Sequence, residues 1–408
     1  MTHSRPARGE RAALGFALAT VCIDAMGIGL IFPVMPALLQ SLGLDSVSDA
    51  ALWGGVLGML YAAMQFLCAP LLGALSDRFG RRVVLLVGLA ALTVDYVILS
   101  LAGGLVVLLA GRAIAGAAGA TYATASAVIA DITPESGRAA RFGLIGAMFG
   151  IGFVLGPALG GLVASWHIRA PFMLAAVLAG TNLLFGALAF PETLPQHRRR
   201  PIDWRVTNPF RALAAAFTLP GIAPLLIVVA LFHLGNHIYP TLWAYWSTAQ
   251  FGWSPGLIGA SLAAYGILLA LVQGVLVGPA VSRFGEWRIA LWGCVAGSLA
   301  ALGFALVAAP WLVFVLICLA ALSDLAPPAL TATLSGRVGA DAQGELQGIL
   351  SAITALTAVL TPPIATGAFY LATRPGGGLD MPGAPFLITA GLLALATGLL
   401  LRIDPAQR

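Results

Sequence analysis

Four charged side chains fall inside long apolar runs of this chain: Asp24 in "VCIDAMGIGLIFPVMPALL", Asp95 in "LTVDYVIL", Arg112 in "GRAIAGAAGAT" and Asp324 in "ALSDLAPPAL". A charge at the centre of a bilayer costs at least ~2.5 kcal/mol, so such groups face a protein interior or a water-filled path and mark ion, proton or substrate routes. A carboxyl group in that position can gain and lose a proton as its access to water changes, which is the chemistry of a carrier. Gly27 and Gly29 follow Asp24 and permit close packing or local unwinding there. A second polar set, His233, Asn236 and His237 in "LFHLGNHIYP", recurs at i, i+3 and i+4 and therefore shares one helix face. Histidine titrates near neutrality and can carry protons, while interhelical hydrogen bonding is the simpler use of the same residues. With no third ligand spaced for it, no metal site is expected. Gln65 and Gln273 are further polar candidates for a cavity wall, and Pro327-Pro328 must disturb the helix that carries Asp324. Trp243, Tyr245, Trp246 and Trp253 read as an interfacial aromatic belt.

The elements that hold these groups are membrane helices. Of the 408 residues 60% are hydrophobic and only 9% charged, with a mean hydropathy of +0.96. Soluble domains carry about 25% charged residues, so a soluble enzyme or nucleic-acid binder is excluded in favour of a protein embedded in a bilayer. Twelve apolar runs reach spanning length: 12–36, 51–73, 83–102, 104–129, 141–164, 171–190, 221–247, 256–280, 287–308, 311–333, 346–371 and 384–402. A polar, proline-rich stretch at 191–220 divides them into an amino-terminal six-helix bundle (1–190) and a carboxyl-terminal one (221–408), joined by a linker. The fold class expected is all-α, with two pseudo-symmetric bundles. Of the 21 arginines, 18 lie in the termini, the linker and the turns after helices 2, 4, 8 and 10, while Arg169 and Arg374 alone lie in the opposite turns. That asymmetry places both termini and the linker in the cytoplasm. "GALSDRFGRR" (73–82) and "GPAVSRFGEW" (278–287) share a Gly, Ser, Arg-Phe-Gly skeleton at an offset of 205, which indicates duplicated halves. Cys22, Cys68, Cys294 and Cys318 sit in apolar runs without ligand spacing and read as small hydrophobes. No cleavable signal is evident, no phosphate-cradling loop is present for direct ATP drive, and no nucleophile–base set can be assembled.

Four local patterns stand out. In "GALSDRFGRR", Gly73 and Gly80 permit a tight turn, and Asp77, Arg78, Arg81 and Arg82 put an acid beside cations at the membrane surface. Gly111, Ala115 and Gly119 recur every four residues and allow close packing of helix 4. Gly152, Gly156 and Gly160, with Gly161 and Pro157, form a small-residue stripe with a kink site on helix 5. Thr133, Pro134 and Glu135 read as an N-cap, a first helical proline and a first-turn acid opening that helix.

These stretches, with "IADITPESGRAARFG" (129–143), "APFMLAA" (170–176) and "PETLP" (191–195), resemble the tetracycline-efflux branch of the drug:proton antiporters in the major facilitator superfamily. The likeness is close over 20–195 and looser beyond. It implies a gate latch in the 73–82 loop with Asp131 as a partner for its arginines. It also implies a role for Arg112 in proton transfer, and a bent helix 5 packed across the halves. The function implied is proton-coupled export of an amphipathic drug, tetracyclines first, by alternating access; a carrier of an endogenous metabolite or sugar is the other reading. Partners would be the small molecule, protons and the lipid of a bacterial inner membrane, with no nucleic acid and no obligatory protein partner. No cofactor is implied beyond the proton gradient, although a drug–divalent-cation chelate can be the substrate. The chain departs from the tetracycline-specific pattern at Leu269 and Gly297, where those members carry a histidine in helix 8 and an acid in helix 9.

Overall fold

A backbone in hydrocarbon must satisfy its own polar groups, and helices do so within one segment. In the computed structural model, which describes residues 8–202, 207–215, 221–339, 342–374, 376 and 379–403, every regular element is helical. Twelve helices among the described residues are long and apolar enough to cross a membrane. Helices 1 to 6 run Ala12–Ser41, Val47–Phe79, Arg81–Leu101, Leu105–Asp131, Ala140–Ala164 and Ala170–Ala189. Helices 7 to 12 run Ala223–Phe251, Pro255–Phe284, Glu286–Leu306, Pro310–Ser335, Gln343–Thr373 and Ala384–Arg402. They match the apolar runs, and several, helices 1, 2, 8 and 11 above all, extend further into polar residues, because a helix need not stop where it leaves the apolar layer.

The chain divides into two compact units, Met1–Val34 with Ala63–Asn208, and Met35–Ala62 with Pro209–Arg408. This differs from a cut at the linker alone: the segment 35–62, which covers the end of helix 1 and the start of helix 2, packs with the second unit. Within that unit Ser48 and Thr373 share a hydrogen bond of 2.7 Å, and Gly54 and Gly55 lie against Tyr245 and Thr366. The linker is not featureless, since Gln196–Arg198 forms a 3₁₀ turn and Pro209–Ala215 a short helix beside helix 11.

In the first unit, helix 1 runs along helix 5 with almost no side-chain spacer. A Cβ on Gly156 would lie 2.6 Å from the Met26 carbonyl oxygen and 2.9 Å from Gly29 Cα, and one on Gly160 would lie 2.9 Å from Leu30 Cα. The glycine stripe with Pro157 and buried Gly161 therefore packs helix 5 on helix 1 of its own unit. That corrects the expectation of packing across the halves. Phe16 stacks with Phe185 and Phe190 at 5.9 and 4.6 Å beside Leu85, Val128 and Ile129.

In the second unit an aromatic core joins Trp243, Trp246, Phe304 and Phe386 at centroid distances of 5.1 to 5.8 Å. Trp243, Tyr245, Trp246 and Trp253 are all buried, so they form core and not an interfacial belt. Trp243 can be buried because its indole N–H donates to Ser261 Oγ at 2.8 Å. Side chains such as Val106, Leu188 and Leu306 remain largely exposed, as lipid-facing residues must.

The duplication is visible in the backbone. Gly80 joins helix 2 to helix 3 with φ 109° and ψ 154°, and Gly285 joins helix 8 to helix 9 with φ 81° and ψ 153°. Arg78 lies over the Phe79 ring and Arg283 over the Phe284 ring, each at 5.4 Å. Only Gly80 makes the turn in the first loop. Gly73, expected to share it, lies inside helix 2 with nothing within 4 Å of an added Cβ.

Candidate functional site

Asp95 is fully buried and ion-paired with Arg112, whose Nε donates to its Oδ1 at 3.2 Å while Nη2 contacts Oδ2. The pair forms because Gly111 lets helix 4 approach helix 3: a Cβ there would lie 2.8 Å from Asp95 Oδ1. The next residue, Tyr96, turns to the other neighbour and sets its phenol against Gly27 of helix 1. Helix 3 thus ties helix 4 to helix 1 through two adjacent side chains.

Asp24 differs. Cys22, Ala25, Met26 and Gly29 face helix 5, and at 3.6 residues per turn Asp24 lies on the far side of helix 1 from that seam. It is half-buried and, among the described residues, has neither a hydrogen bond nor an ion pair. One acid is therefore neutralised by a cation and the other is not. Gln65 donates from Nε2 to the Gly119 carbonyl at 2.6 Å, where helix 4 breaks between Ala118 and Thr121. It repairs an interruption instead of standing free in a cavity.

At the arginine-rich end, Arg81 gathers the charges of the 73–82 motif. Its guanidinium bonds Asp77 at 2.6 Å, Asp131 at 3.0 Å and Ser76 Oγ at 3.2 Å. Arg82 donates to the Ala187 carbonyl at 2.6 Å, whereas Arg78 is exposed and forms no ion pair among the described residues. The pairing of Asp131 with these arginines thus exists, within the first unit. A residue that sequence reasoning missed completes it: the Glu192 carboxylate accepts the Arg81 and Arg82 amides at 2.9 and 3.3 Å. It caps the first turn of helix 3, where the positive end of the helix dipole favours an acid. Thr133 does not cap helix 5. The α-helix that contains this span runs Glu135–Ala164 with Pro134 at its N-cap, while the Thr133 hydroxyl donates back to the Ile129 carbonyl at 2.5 Å.

In the second unit helix 7 breaks at His237, between Ala223–Asn236 and Ile238–Phe251. Carbonyls beside the break find hydroxyl donors, Thr361 to Leu234 and Thr389 to Gly235, each at 3.1 Å. His233 and His237 lie 6.0 Å apart between ring centroids, and Asn236 sits on the same turn. Asp324 lies where helix 10 breaks, and Tyr265 of helix 8 donates to its Oδ2 at 2.7 Å. Gln273 lies in a π-helical turn, Val272–Leu276. Gly297 is small for a reason: a Cβ there would lie 2.7 Å from Leu393 Cδ1 and 3.0 Å from Ser323 Cβ. An acid at this position would not fit between helices 9, 10 and 12. Among the described residues no group of three or more His, Cys, Asp or Glu could hold a metal ion.

A six-helix unit and its repeat, with ionisable side chains buried in the spans, are the construction of a membrane-embedded secondary transporter. The Major Facilitator Superfamily profile matches residues 17–362 and 225–408. Tetracycline resistance protein, class C, of Escherichia coli is 44% identical over 386 residues, 95% of this chain and 97% of the relative. The class G protein of Vibrio anguillarum is 39% identical over 363 residues, 89% and 91% of the two chains. The chain therefore belongs to the major facilitator superfamily and, within it, to the group of the tetracycline resistance proteins. The crystal structure of the human organic anion transporter MFSD10 superposes with a TM-score of 0.70, covering 97% of this chain and 100% of that one. At 23% identity that likeness speaks for the fold alone.

Proposed function

We propose that this chain is a proton-coupled antiporter that exports tetracycline, free or as a divalent-cation chelate, by alternating access. It works in the bacterial inner membrane with both termini in the cytoplasm. The observation that carries the reading is the likeness to tetracycline resistance proteins along nearly the whole chain, across both halves. The arginine asymmetry supports the orientation.

In this reading Asp24 is the carboxyl that exchanges its proton during the cycle, because among the described residues no cation pairs with it. Asp95 and Arg112 form a neutral pair between helices 3 and 4, which orients the path without binding a second proton. His233, Asn236 and His237 line the route in the second unit. Arg81, Asp77, Asp131 and Arg82 close the cytoplasmic end, with Gly80 as the turn between helices 2 and 3. The second reading, a carrier of an endogenous metabolite or sugar, is favoured by Leu269 and Gly297, where polar side chains are missing.

The test uses everted vesicles with an inside-acid pH gradient and a dye that reports internal pH. Adding tetracycline to the wild type is expected to release protons, and Asp24→Asn is expected to release none. A panel of unrelated amphipathic drugs then gives the breadth of the substrate class. If folded, inserted protein releases protons with none of them, the drug reading falls and metabolite counterflow becomes the next assay.

A further inference from the structure

Helix 10 is two helices. Pro310–Ser323 ends at Asp324, and Ala326–Ser335 follows it. A carboxylate at the end of the first segment meets the negative pole of that helix. The second segment would offset this with its first-turn amides, but Pro327 and Pro328 have no N–H and remove two of the four. Among the described residues the carboxylate accepts one hydrogen bond, from Tyr265, and no arginine or histidine pairs with it. Gln273 donates to the Asp324 main-chain carbonyl at 3.4 Å and leaves the carboxylate untouched. A second phenol, Tyr239 of helix 7, is within electrostatic reach, and its buried hydroxyl has no hydrogen-bond partner among the described residues.

We infer that Asp324, with Tyr265 and Tyr239, is a proton-binding site of the second unit that loads and unloads independently of Asp24. The inference rests on the reading that transport is proton-coupled. A phenol both donates and accepts, so Tyr265 can stay hydrogen-bonded to the carboxyl group in either state. Tyr265 donates to the anion. On loading, a proton from water bonds to the free carboxylate oxygen while Tyr265 keeps the other; unloading breaks that O–H bond and returns the proton to water. The two phenols, Tyr265 of helix 8 and Tyr239 of helix 7, act on the carboxyl group; the neighbouring helices also carry His233, His237 and Tyr245 (helix 7), Arg283 (helix 8), Glu286, Arg288 and Cys294 (helix 9), and Glu345 and Tyr370 (helix 11). Of these only Tyr265 bonds the carboxyl group.

The experiment is infrared difference spectroscopy on the purified full chain, without drug, between acid and alkaline pH, reading the protonated-carboxyl band. Asp324→Asn is expected to lose a part of the band that Asp24→Asn keeps. Tyr265→Phe is expected to keep the band and move the pH at which it appears. An unchanged band in folded Asp324→Asn overturns the proposal. So does an unchanged midpoint in Tyr265→Phe, which also carries the test should the asparagine variant fail to insert. Because no drug is present, a wild type that shows both carboxyl signals but no drug-driven proton release overturns the antiport reading and leaves this site standing.

Discussion

Asp95 has no exposed surface and the Arg112 side chain is only 13% exposed, so neither charge has water to fall back on when its partner is removed. Arg112→Gln alone is expected to destabilise the folded protein by about 3–5 kcal/mol, read as a lower thermal unfolding midpoint in detergent. Asp95→Asn combined with Arg112→Gln should regain most of that midpoint while drug-driven proton release stays absent. A double variant that transports like the wild type would reduce the pair to scaffolding. These residues are legible in the sequence because a charge in an apolar run is an anomaly. Glu192 is not legible: an acid in a polar linker is unremarkable, and it reaches its helix from 111 residues away. Thr361 and Thr389 escape notice for the same reason, since a threonine in a span carries no sign of which carbonyl it will meet.

The seam between helices 1 and 5 is made of backbone, and backbone cannot step aside. Gly156→Ala places a methyl group 2.6 Å from a carbonyl oxygen, and is expected to cost about 1–3 kcal/mol by overpacking. Gly146→Ala, with open space around it, is the matched control and should leave the unfolding midpoint level or slightly higher. Equal midpoints in the two variants would mean that the seam has slack. A four-residue glycine period announces close packing but not the partner; helix 1 is selected by chain topology, which periodicity does not encode. The same limit separates Gly73 from Gly80, identical letters seven positions apart, of which one is helical and the other turns the chain. Helix ends were displaced outward for a related reason, because hydropathy marks the apolar layer and hydrogen bonding continues past it.

At the scale of the whole chain, the repeat at 73–82 and 278–287 was readable in letters and returns as two glycines in the same unusual conformation. The assignment of 35–62 to the second unit was not readable, since a linker is a property of sequence and a unit is a property of contacts. The Ser48–Thr373 contact offers a direct probe. With the four native cysteines replaced, Ser48→Cys and Thr373→Cys together should crosslink on oxidation and leave drug-driven proton release unchanged, because both residues belong to one unit. Either single variant should ignore the oxidant. Loss of transport in the crosslinked form would show that the segment 35–62 parts from helix 11 during the cycle, against its assignment to the second unit.

Helix 1 loses its α-helical hydrogen bonding at Phe32–Val34, where Pro33 and Pro36 withhold two amides, and the boundary between the units falls directly after this turn. The turn is a universal joint in a shaft. One end of the shaft is clamped to the second unit, and the other carries Asp24, nine residues before Pro33. Torque that travels along helix 1 from its clamped end must pass through the joint to reach the carboxyl group. A stiffer joint, such as Pro33→Ala would create, couples the two ends more tightly and alters the timing of proton exchange without touching a single ionisable residue.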